Sequence, residues 1–187
     1  MKEAKTIPLD ALRSALKHQY HAALAMLKQA IERCPEEVWV SRAYVNPTWR
    51  IAYHVLYFTH LYLQRRLEDF APWEHHQTGI HDLDDDPTPP SIAQYCELPH
   101  RPPRTGRPLT KAEILEYWSL CDRLVDGVVD DMDLLAPESG FWYRMPKLEH
   151  QLVNLRHIQH HTAQIGLRLR EATKGELSID WVGRRKA

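Results

Sequence analysis

Four segments of this chain repeat apolar residues at the helical period and none alternates at the strand period, which restricts the fold to helices packed on helices. Residues 9–33 place Leu9, Leu12, Leu16, Tyr20, Ala23, Leu27, Ala30 and Ile31 on one stripe, and Pro35 ends it. A second helix is predicted over 47–69, with Asn46 as its N-cap, Pro47 in its first turn, and Ile51, His54, Phe58 and Leu61 spaced 3, 4 and 3 apart. The third, over 110–135, opens on a capping box of Thr110 and Glu113 and continues on Ile114, Tyr117, Leu120, Cys121, Leu124 and Val128. The fourth is predicted over 147–173, after Pro146, with Gly175 placed to cap its end.

Residues 71–109 break the pattern, because eight of the thirteen prolines lie there and neither a long helix nor a regular strand tolerates them. An irregular loop of that length in a compact domain is expected to be functional. It is read as a lid or rim bordering the open side of a site. The expected fold is therefore an all-α four-helix bundle, one domain over 1–187, with a long crossover loop between helices 2 and 3.

Composition excludes several classes of function. With 24 basic against 25 acidic side chains, no electrostatic footprint for nucleic acid or an anionic membrane is present. No apolar run reaches the ~18 residues of a membrane span, and the opening "MKEAKTIPLD" has no apolar signal-peptide centre. Cys34, Cys96 and Cys121 are odd in number without paired spacing, so they are read as reduced thiols of a cytoplasmic protein. No Ser-His-Asp arrangement, phosphate-binding glycine loop or nucleotide fingerprint is evident.

The chemistry is concentrated in the fourth helix. His150, Asn154, His157, His161, Gln164 and Arg168 follow one another at spacings of 4, 3, 4, 3 and 4, an inner seam written in polar residues where a bundle ordinarily places leucine. Leu148, Leu152, Leu155, Ile158, Ile165 and Leu169 surround it. His157 and His161 stand about 40° apart around the axis and ~6 Å along it, so two imidazoles can converge on one ion. His160 points about 60° from His157 and about 100° from His161; it is assigned to the surroundings of the ion or to the surface. His54 occupies the same kind of inward position on the second helix and supplies a third ligand. Gln164 and Asn154 are candidates to orient ligands or to satisfy a buried polar layer.

Other metal sites fail on spacing. A di-iron carboxylate bundle needs two Glu-x-x-His pairs on helices, and the one such spacing, Glu97 with His100, is interrupted by Pro99. The stretch "EHHQTGIHDLDDD" is read as solvated surface.

The segment "PTWRIAYHVLYFTHLYL", followed by "NLRHIQHHTAQIGLRLRE", resembles the DinB/YfiT-like metal-binding superfamily. Its fourth-helix motif H-x-x-H-H-x-x-Q is matched by His157, His160, His161 and Gln164, while Thr162 and Ala163 depart from the frequent "HHRGQ" form. The resemblance implies a four-helix bundle in which His54, His157 and His161 hold one divalent ion, zinc before nickel or iron. It also implies a metal-dependent enzyme acting on a small-molecule substrate: a thiol S-transferase using a low-molecular-weight thiol, or a hydrolase. Three neutral ligands with an open position suit a thiolate or lower the pKa of a bound water to ~7. The alternatives are a metal-binding stress or sensor protein without turnover, and a structural bundle that forms a homodimer through exposed aromatic surface.

Overall fold

The computed structural model describes residues 7–83 and 106–182, and these form five α-helices and no strand. Helix α1 spans Leu9–Arg33, α2 Glu36–Trp39, α3 Thr48–Tyr62, α4 Lys111–Asp131 and α5 Lys147–Ala172, with a 3-10 turn at Leu67–Asp69. The expected all-α class is what the structure shows. The four long helices close a ring in which α1 packs on α4 and α5, and α3 packs on the same two. The short α2 leans on α3 and α5.

The apolar stripe of α1 explains its placement: Leu16, Tyr20, Ala23, Leu27, Ala30 and Ile31 are all buried. Helix α3 is apolar nearly all round, as an interior helix should be, and only Tyr57 and Phe58 escape full burial. Its fourth side is covered by residues 73–83, which bury Trp73, Ile80 and Leu83 and lay Trp73, His76 and His81 against the tyrosines of α3. In "EHHQTGIHDLDDD" Glu74, His75 and Thr78 are exposed as expected, but His76 and residues 79–83 are packed rather than solvated, because their apolar and ring groups have an aromatic helix to cover. Residues 84–105, most of the expected lid and Cys96 with it, lie outside the described residues. Cys34 and Cys121 are free and buried.

The caps match in part. Thr110 and Glu113 form the expected capping box, and Gly175, at φ +90°, closes the end of α5 by donating its N–H to the Arg170 carbonyl over 2.8 Å. Asn46 is not the N-cap of α3. Pro47 holds that position without a side-chain cap, and Asn46 is buried with its carbonyl accepting from Arg168 Nη1 at 2.8 Å. On α5, Leu152 stands 51% exposed, and Gln151 is buried in its place, bonded to Tyr20 Oη and to the Tyr62 carbonyl.

The second helix ends at Tyr62 rather than 69, and Lys147 shows why. Its Nζ donates to the carbonyls of Gln64 at 3.3 Å and Arg65 at 2.6 Å, and to that of Ser139. A buried cation thus takes up carbonyls that a longer helix would have bonded internally. Burial draws its ammonium down to about 8, which still leaves it charged at pH 7. Lys147→Met, which keeps the stem and removes the donors, is expected to cost about 2–3 kcal/mol in urea unfolding, since buried carbonyls lose a charged partner. A cost within about 0.5 kcal/mol of zero would mean that water replaces the ammonium there. The third helix likewise ends early, at Asp131, where Met132 turns extended and the Asp133 carboxylate accepts from the Leu135 N–H at 3.1 Å.

Candidate metal centre

Helix α3 supplies His54 and α5 supplies His157 and His161, and one ring nitrogen from each lies within 4.8 Å of the others. The three rings are mutually close, with centroids 4.9 Å apart for His54 and His157 and 4.6 Å for each of the other two pairs. His54 and His161 are buried, while His157 is half-buried, so the group sits in the α3–α5 seam and reaches toward the surface along one edge. Local periodicity made the i, i+4 pair; packing of α3 against α5 brought in the third ring.

Two of the rings are fixed from behind. His54 Nδ1 lies 2.6 Å from the His81 carbonyl, which can only accept, so Nδ1 carries the proton and Nε2 turns a lone pair inward. His161 Nδ1 lies 2.7 Å from Gln164 Oε1, which orients its Nε2 in the same way. Gln164 Nε2 in turn faces Nε2 of the exposed His160 at 3.4 Å. His157 differs: its Nδ1 is buried without a partner, and its Nε2 lies 2.9 Å from Nε2 of His54.

That arrangement tests whether a metal suits these residues. With His157 Nδ1 protonated, its Nε2 lone pair faces that of His54; with Nε2 protonated, a buried Nδ1 lone pair is orphaned. Either tautomer leaves a polar group unmet, and a cation taking the inward lone pairs removes the conflict between the two Nε2 atoms, leaving only the Nδ1–H of His157 without a partner. Electrostatics agree. Burial first, then His157 and His161, hold His54 well below the usual imidazole range; burial, then His161 and His160, do the same for His157. Both rings are therefore neutral at pH 7, the form that ligates. Imidazole donors suit zinc, nickel and iron alike, and the residues fit such an ion.

The remaining candidates divide. Gln164 and His160 both touch the ring of His161, the latter edge-on with centroids 4.8 Å apart and exposed at the surface, whereas Asn154 reaches no ring of the triad. Its Nδ2 donates to the Thr59 carbonyl at 3.4 Å, so it belongs to the buried polar layer between α5 and α3. Nor does His150 reach the triad: it is fully buried among Tyr62, Phe141 and Tyr143 with neither ring nitrogen partnered.

Two contributors were missed from the sequence. His81 contributes a backbone carbonyl, which no side-chain pattern announces, and its ring stacks on Tyr57 with centroids 4.1 Å apart. Arg50 holds the chain on either side of it; a charged residue within the apolar run "TWRIAYHVLYF" was the available signal. Glu74, His75 and Glu116 also come within 4.8 Å of one another, but all three are exposed and remain hydrated.

No described helix is long and apolar enough to cross a membrane. Neither a curated protein nor a solved structure matches the chain. The model of the DinB superfamily does match it, over residues 19–165. That span runs from within α1 to Ile165 on α5 and takes in His54, His157 and His161. An all-helical chain matched along most of its length, triad included, belongs to the DinB superfamily.

Proposed function

We propose that this chain is a metal-dependent enzyme in which His54, His157 and His161 hold one divalent ion, zinc before nickel or iron, for transfer or hydrolysis at an electrophilic centre. The observation that carries the reading is the convergence of three imidazoles, joined by no carboxylate among the described residues, at a seam where His157 is half-buried. When bound, a divalent ion with three neutral ligands keeps its full charge and acidifies a thiol or water at neutral pH.

The chain's own groups fill supporting roles. Gln164 and the His81 carbonyl hold two rings with their lone pairs inward. Phe58 packs against His54 and His157, with centroids 4.8 and 5.6 Å away, beside the Tyr57–His81 stack. None of the described cysteines or buried tyrosines serves as nucleophile or base. Burial raises the Cys34 thiol to about 11 and raises Cys121, Tyr53 and Tyr117 as well, so all stay protonated at pH 7. With these groups protonated, the reading takes the nucleophile to be a low-molecular-weight thiol or water.

Transferase is placed before hydrolase on the family's chemistry alone. Zinc-loaded protein should transfer glutathione-like, bacillithiol-like or mycothiol-like donors to an alkylating electrophile, or hydrolyse a simple ester. Activity should vanish with chelation and return with metal. Turnover unchanged after chelation would take the metal out of the reaction, and none with any donor would leave a binding protein without catalysis.

A further inference from the structure

We infer that Arg50 is a positioning residue of the triad: it clamps the backbone on both sides of His81 so that the His81 carbonyl is presented to Nδ1 of His54. The inference rests on reading the triad as a metal site. Three consecutive carbonyls carry it. Arg50 Nε donates to that of Ile80 at 3.3 Å and Arg50 Nη2 to that of Asp82, while the one between them accepts from His54 at 2.6 Å.

Arg50 and His54 are four residues apart on α3, so one helix face holds both ends of the arrangement. Arg50 is only 5% exposed, and a guanidinium so placed needs acceptors supplied by the chain. Its planar fork meets two carbonyls at once, which an ammonium on a flexible stem does not reproduce. Ring packing keeps the segment in register: His81 stacks on Tyr57, and His76 Nδ1 lies 2.5 Å from Tyr53 Oη. With the outer carbonyls anchored, the middle peptide has little freedom to rotate. Its acceptor then sets the tautomer of His54 and leaves the Nε2 lone pair facing the triad.

Nitrogen-15 NMR of the metal-free full-length chain reads this directly. Wild-type His54 should carry its proton on Nδ1. In Arg50→Met, which keeps the stem and removes the fork, His54 should become a mixture of tautomers, and zinc affinity should fall about 10- to 100-fold. Arg50→Lys should fall between the two. Thermal unfolding of the metal-free variants, run alongside, separates loss of positioning from loss of fold. Wild-type His54 protonated on Nε2 overturns the inference whatever the variants do. So does a folded Arg50→Met that keeps both the tautomer and zinc affinity within about twofold of wild type. If Arg50→Met does not fold, Arg50→Lys is read by the same two criteria. A wild-type chain that binds no zinc removes the metal reading, while the tautomers still decide the role of Arg50.

Discussion

Replacing His157 or His161 by alanine is expected to abolish stoichiometric zinc in the purified protein, and replacing His54 should do the same. Each contributes one of three converging nitrogens. The described residues place no carboxylate in the group that could substitute for a lost imidazole. His160→Ala should retain the metal, because that ring is exposed and only packs edge-on against His161, with no nitrogen among the three that converge. Gln164→Ala should fall between, weakening zinc about 10- to 100-fold through loss of the bond that orients His161. Metal content measured after gel filtration, with circular dichroism to verify folding, distinguishes these outcomes. Equal loss from His160→Ala and His157→Ala would show that the ligands are wrongly assigned.

Acid is expected to destabilise the metal-free protein by about 4 kcal/mol between pH 7.5 and 5 through His60 and His150 alone. Burial lowers His60 to about 4. Burial, and then the charge of Lys147, lower His150 to about 3. Unfolded, each returns to ~6.5. Because the folded value is the lower one, the unfolded chain binds the extra proton as pH falls below ~6.5, so stability declines from there. The decline ends only near the folded values, about 4 for His60 and about 3 for His150. At ~1.4 kcal/mol per unit of pH, a drop of about 1.5 units costs about 2 kcal/mol for each residue. His54 and His157, also held low by burial, act in the same direction.

The residue that isolates the effect is His150. Its two unpartnered nitrogens lie in an aromatic pocket, so His150→Leu should cost little at pH 7.5. It should remove about 2 kcal/mol of the acid loss. Urea unfolding of wild type and variant at pH 7.5 and 5.0 measures both quantities. An acid loss identical in the two proteins would mean that His150 is protonated in the fold, with water or a carboxylate as an unseen partner.

The helices were legible because burial of one face leaves a period in the sequence, and six of the eight stripe residues of α1 are buried, with His21 and Leu24 beside them. The ends were less so. Neither the early stop of α3 nor that of α4 follows from propensity. The first depends on Lys147, 85 positions after Tyr62, and the second on a local turn at Asp133. Asn46 has the composition of a cap, yet its carbonyl is engaged by Arg168 of α5, a contact with no local signal.

The candidate site divides along the same line. The pairing of His157 with His161 follows from one helix's geometry and could be read directly. His54 was selected for its inward register, and α3–α5 packing brought it to them. The sequence by itself determined the all-helical class and the pairing of His157 with His161 on α5, because periodicity within a helix is a local property. Only the tertiary structure decided what stands behind those imidazoles: the His81 carbonyl at His54, Arg50 bracketing it, and the burial that keeps His54 and His157 neutral. Backbone acceptors are the same at every residue, and desolvation depends on neighbours distant in the chain, so neither leaves a mark in the order of side chains.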